Sequence, residues 1–220
     1  MLNGKYFYAL VLCLVFCIGC AEKMDSPGSV ATVPESPWVL VENINIEGAM
    51  VYESCASCHL ADGSGRSDGL VPRLAGQSEK VLLHKLKKLR DGEVTLPVMV
   101  PFARALSEVE SSQVANYIAS LPSVNEGVSS NKNYEVYCSA CHGGAAQGND
   151  VLLAPKLCGQ HSAYLDRRMS EIKQNLRGDA DMGMMSVLNA INPNTQNEIV
   201  QWLAVGQCLG ERGVMESSDE

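Results

Sequence analysis

The sequence predicts a helical fold built twice in tandem, and three observations predict it. Cys55-Ala56-Ser57-Cys58-His59 recurs as Cys138-Ser139-Ala140-Cys141-His142, a shift of 83 that also maps Gly65 onto Gly148, Pro72 onto Pro155, Leu74 onto Leu157 and Gly76-Gln77 onto Gly159-Gln160. Beyond that the shift is 85, taking Met99 to Met184, Leu106 to Ile191, Val114 to Ile199 and Tyr117 to Trp202. The second observation is helical periodicity, seen in Glu79–Arg90, where Leu82, Leu83, Leu86 and Leu89 form one apolar stripe. The third is that no strand–helix alternation surrounds either motif.

Taken in order, the chain opens with Lys5 followed by fourteen apolar or small residues, Tyr6 to Gly19. That run is too short to span a bilayer as a helix and reads as an export signal, residues 1–19. Cys17-Ile18-Gly19-Cys20 resembles a bacterial lipobox, with Cys17 where Leu is usual, so Cys20 is the expected lipidation site. Residues 20–44, rich in Ser, Pro and Val, then form a flexible tether from a membrane surface. The first copy spans 45–122, a linker 123–130 (SVNEGVSS), the second copy 131–208 and an acidic tail 209–220. Each copy's last helix has a start signal. Ser107 with Glu110 makes a capping box, and Asn192 with Pro193 supplies an N-cap and a proline at N1.

Domains this small bury too little surface to be comfortably stable. A large apolar cofactor would supply the missing core and would explain why only 5% of residues are aromatic. The motif names that cofactor. C-x-x-C-H is the covalent attachment signature of c-type haem, so Cys55, Cys58, Cys138 and Cys141 are expected to hold two covalently bound haem c groups. His59 and His142 are the expected proximal ligands to iron. A zinc site would need its cysteine pairs far closer together, and a thioredoxin-like pair would need a βαβ setting.

The remaining ligand in each copy is expected to be Met99 and Met184, which repeat and lie in a loop at the same distance before the last helix. Met182 and Met185 remain alternatives to Met184. His84 falls among lysines on its helix, and His161 has Ser78 as its counterpart, so neither histidine repeats. A thioether opposite histidine fills the sixth position and raises the potential, which is the chemistry of a one-electron carrier rather than a catalyst.

The tandem C-x-x-C-H motifs, the P-x-L-x-G-Q segments at Pro72–Gln77 and Pro155–Gln160, and MVPFARALSEVESSQVANYIASLP from Met99 resemble dihaem cytochromes of the cytochrome c4 type over residues 45–208. The resemblance implies an all-α pair of class-I cytochrome c domains, each wrapped around one covalently bound haem, with the haems facing across the interface. It further implies electron transfer between periplasmic dehydrogenases or quinol-oxidising complexes and terminal oxidases or reductases. Members are often freely periplasmic, whereas this chain reads as membrane-anchored, and Cys158 stands where the first copy has Ala75.

Of nine cysteines, Cys13 and Cys17 leave with the signal, Cys20 takes the lipid and four take haem. Cys158 and Cys208 remain, both in the second copy of an exported chain, and are expected to pair. The alternative is that Cys158 approaches an iron. Two other functional readings stand beside the free carrier: an electron-accepting subunit of a periplasmic dehydrogenase, and a dihaem peroxidase or sulfur-compound dehydrogenase, which would need an open coordination position. The net charge of −8 argues against sequence-independent nucleic-acid binding, and no small-molecule substrate is expected. The acidity sits mainly in the tails and linker. The one basic cluster, Lys80, Lys85, Lys87, Lys88 and Arg90, is either a solvated helix face or a dock for an acidic redox partner.

Overall fold

The computed structural model describes residues 45–123, 129–206 and 208. The expected signal, the expected tether with Cys20, most of the expected linker and the acidic tail lie outside the described residues. The described residues fall within one compact unit. Among the described residues the fold is all-α, with two isolated bridges (Ser129 with Cys208, Asn149 with Ala154) and no strands. None of these helices is long and apolar enough to cross a membrane.

The first repeat contains α1 (Ile46–His59), α2 (Glu79–Arg90), α3 (Val100–Ala105) and α4 (Glu108–Ser120). Helix α1 begins where the Asn45 carboxamide accepts a hydrogen bond from the Gly48 amide at 2.7 Å and donates to the Gln113 carbonyl of α4 at 2.8 Å. The two helices cross at Gly48. A Cβ there would meet the Gln113 oxygen at 2.3 Å, so only glycine allows this approach. Tyr52 and Tyr117 pack across the crossing with ring centroids 5.3 Å apart, over a core of Leu82, Val114, Ala115 and Ile118. The capping box of α4 is formed, Ser107 and Glu110 each bonding the other's backbone N–H.

The second repeat contains α5 (Lys132–Tyr137), α6 (Ser139–His142), α7 (Ser162–Lys173), α8 (Met182–Ala190) and α9 (Pro193–Val205). Tyr134 and Trp202 repeat the aromatic pair, with centroids 4.8 Å apart, above a core of Leu165, Met169, Leu188, Ile199, Val200 and Leu203. Asn192 caps α9 by accepting from the Thr195 amide at 3.0 Å. Cys158 and Cys208 form a disulfide with a Cα–Cα distance of 6.0 Å.

Two local features differ from a plain copy. Tyr52 lies three residues before Cys55, but Tyr134 lies four before Cys138. Both tyrosines must reach the same place: Tyr52 donates to the Leu60 carbonyl at 2.8 Å and Tyr134 to the Gly143 carbonyl at 2.6 Å. The extra residue is absorbed at Cys138 (φ −123°, ψ −31°), which divides one continuous helix into α5 and α6. The methionine segments, expected as loops, are short helices. Met99 is the N-cap of α3, while Met184 sits in the first turn of α8, its amide donating to the capping Asp181 carboxylate at 3.0 Å.

Candidate haem sites

Each C-x-x-C-H motif occupies a helix end, and the backbone after it folds identically in both repeats. The Gly65 amide donates to the His59 carbonyl at 2.9 Å, and Gly148 to His142 at 2.8 Å. Leu74 and Ala75 donate to the Gly63 carbonyl, as Leu157 and Cys158 donate to that of Ala146. This loop carries a proline carbonyl to each histidine: His59 Nδ1 lies 3.0 Å from the Pro72 oxygen and His142 Nδ1 lies 2.8 Å from the Pro155 oxygen.

A carbonyl can only accept, so Nδ1 carries the proton in both rings and the lone pair is on Nε2. Both rings are buried, and desolvation pulls each imidazole below the ordinary histidine range, with the carbonyl bond opposing it. A neutral imidazole with its lone pair on Nε2 and its other nitrogen anchored is what iron ligation requires. The four motif cysteines are thiols, whereas Cys158 and Cys208 are bridged. Burial pushes the Cys138 thiol up to about 12, and Cys141 adds to the effect. Desolvation raises Cys55 as well. Among the described residues no group of three His, Cys, Asp or Glu side chains is placed to hold a metal ion.

Met99 is half-buried against Leu89, Val94 and Ala103. Met184 is half-buried against the core of the second repeat, whereas Met182 is 84% exposed. Met185 is half-buried. His84 is half-buried, and desolvation with Lys88 and Lys85 holds it below the usual range. His161 turns to the first repeat, its Nε2 bonding the Ser64 carbonyl at 2.7 Å. Cys158, being bridged, has no thiolate to offer an iron.

The basic cluster on α2 is not a uniform solvated face. Lys85 stays open to solvent but borders the second repeat. Desolvation chiefly, with Arg168, Lys88 and Arg177 repelling it, holds its ammonium below the usual lysine range against the pull of Asp179. There it meets a network that the sequence reading did not pick out. The Arg168 Nη2 forks onto both Asp179 carboxylate oxygens at 2.7 Å, and Arg167 and Arg177 reach Glu171 at 2.7 and 2.6 Å. The carbonyl of Arg177 accepts from the Thr95 amide of the first repeat at 2.8 Å.

A cytochrome c family model matches residues 46–122. The thiosulfate dehydrogenase electron acceptor of Thiomonas intermedia (strain K12) is 30% identical over 169 residues, covering 69% of this chain and 77% of that protein. The chain belongs to the cytochrome c family. It therefore carries covalently bound haem c, and the C-x-x-C-H of the first repeat lies inside the matched region. Cytochrome c4 of Pseudomonas aeruginosa (strain PAO1) is 27% identical, covering 62% of this chain and 75% of that one. In architecture the chain is similar to the crystal structure of reduced recombinant cytochrome c4 from Pseudomonas stutzeri, with a TM-score of 0.62 at 23% identity over 75% of this chain and 98% of that one.

At the haem sites two roles are not read from the sequence: the prolines as anchors of the histidines, and Gln77 with Gln160 as contacts between repeats. A pointer to both was present, because P-x-L-x-G-Q starts thirteen residues after each motif histidine.

Proposed function

We propose that this dihaem cytochrome carries single electrons between redox proteins outside the cytoplasm. In this reading residues 45–122 and 131–208 are the two haem domains. Cys55 and Cys58 would hold the first haem and Cys138 and Cys141 the second, with His59 and Met99, then His142 and Met184, as the residues that would ligate iron. Haem supplies a one-electron ferric–ferrous couple. The chain's own residues orient and bury the imidazoles and would offer the thioethers of Met99 and Met184 to the iron.

The observation that carries the reading is the repeated His Nδ1–proline carbonyl bond, which sets both imidazoles in the tautomer that ligates iron. The half-buried setting of Met99 and Met184, against the exposure of Met182, supports the two methionines. With both positions filled, no site remains for substrate, and the chain works as a carrier rather than as an enzyme. Cyanide or carbon monoxide added to the holoprotein tests this: neither haem should bind quickly, and rapid binding at one would make the chain an enzyme.

A second reading, an electron-accepting partner of a sulfur-compound dehydrogenase, is favoured by the relative named as a thiosulfate dehydrogenase electron acceptor. Stopped-flow reduction by such a dehydrogenase, compared with reduction by a quinol-oxidising complex, separates the two donors. Export through residues 1–19 and lipidation of Cys20 complete the proposal and put the carrier at a bacterial membrane surface.

A further inference from the structure

The two repeats meet through a reciprocal pair of carboxamides. Gln160 Oε1 accepts from the Arg73 amide at 3.0 Å and from its neighbour His161 at 3.1 Å, while Gln160 Nε2 donates to the Arg73 carbonyl at 3.0 Å. Gln77 does the same in reverse, its Oε1 accepting from the Lys156 amide at 3.1 Å and its Nε2 donating to the Lys156 carbonyl at 2.7 Å. Arg73 maps onto Lys156, and Gln77 onto Gln160, by the same shift of 83. The contact is therefore self-complementary, as across a two-fold axis.

The peptides that are clamped matter more than the symmetry. The Arg73 N–H belongs to the peptide whose carbonyl is Pro72 O, the acceptor for His59. The Lys156 N–H belongs to the peptide whose carbonyl is Pro155 O, the acceptor for His142. Each imidazole is thus joined, through one peptide group, to a glutamine of the other repeat. Gln160 is nearly excluded from solvent, at 6% exposure, so water does not readily replace its oxygen.

We infer that Gln77 and Gln160 are positioning residues that tune the haems crosswise, Gln160 acting on the first repeat's haem through His59 and Gln77 on the second's through His142. The inference rests on the proposed ligation of iron by those histidines. An acceptor on a peptide N–H polarises the peptide and makes its carbonyl a stronger acceptor. A stronger bond at Nδ1–H makes the imidazole more basic, and a more basic ligand favours ferric iron. Removing the glutamine oxygen does the reverse.

The test is a redox titration of the holoprotein, following each haem through its own haem-methyl NMR resonances. Gln160→Leu should lower the ferric-to-ferrous ratio of the first haem a few-fold at fixed potential, each tenfold being about 59 mV, and leave the second unmoved. Gln77→Leu should do the converse, so misfolding of one variant leaves the other as a test. His161→Phe removes a contact between repeats, that to Ser64, without touching the relay. It should move neither haem. A shift on the same-repeat haem, equal shifts on both haems, or an equal effect of His161→Phe would overturn the inference. EPR of the unaltered protein keeps the underlying reading separate. If it shows no low-spin histidine-ligated haem, the ligand assignment fails. Low-spin haems indifferent to both glutamines sink the relay alone.

Discussion

Met184 and Met182 lie two residues apart on α8, and the core separates them: one packs against the second repeat and the other is exposed. Replacing Met184 by Ala should leave one haem high-spin and open to carbon monoxide, and Met99→Ala should do the same to the other haem. Met182→Ala should leave both low-spin; electronic absorption of the ferric and carbon monoxide forms reads all three. The cysteines and histidines proposed for these sites stand out in the sequence because haem attachment needs a contiguous motif. The two proposed methionines stand out only through the repeat. The proline carbonyls, Arg73 and Lys156 act through backbone atoms, which leave little trace in side-chain identity. The two glutamines bond partners 79 and 87 residues away, beyond any local pattern.

Among elements, the caps of α4 and α9 and the apolar stripe of α2 were readable because each is a local device. The break between α5 and α6 was not, since it follows from two tyrosine hydroxyls seeking equivalent carbonyls across different spacings. Nor were α3 and α8, the latter started by Asp181 within a segment lacking a sustained stripe. The Cys158–Cys208 bridge links the loop after α6 to the end of α9 across 50 residues. Replacing both cysteines by Ala should cost about 4 kcal/mol by the loop-closure estimate, read by denaturant unfolding of the haem-loaded protein.

Asp179 ties the loop after α7 to Arg168. Burial works against its charge, but the Arg168 fork, with Lys85 and Arg177, outweighs burial and holds the carboxyl below the usual carboxylate range. A depressed acid lends stability above its unfolded value and loses it as the pH falls through the folded one. Asp179→Asn should therefore cost about 2 kcal/mol near neutral pH. The difference should shrink below about pH 4, as urea midpoints across pH would record.

At the scale of the whole molecule, two helical repeats become one compact unit because symmetric contacts lock their loops together. Gly69, with φ at +76°, lies so close to α7 that a Cβ would meet the Ala163 carbonyl carbon at 2.5 Å, and Arg167 donates to the Gly69 carbonyl at 2.6 Å. Lys85, read from sequence as one of a surface cluster, is exposed and also borders this junction, within electrostatic reach of Asp179, Arg168 and Arg177. If Cys20 holds the chain at a membrane, Cys20→Ser should move the haem-stained band from the membrane to the soluble fraction of the cell envelope.

In the proposed function each repeat holds a haem whose iron takes one histidine and one methionine. Low-temperature EPR with near-infrared magnetic circular dichroism of the fully oxidised protein reads both ligands at once. Two low-spin ferric haems per chain are expected, each with a methionine-to-iron charge-transfer band. A high-spin component, a single haem, or a haem lacking that band would contradict that ligation.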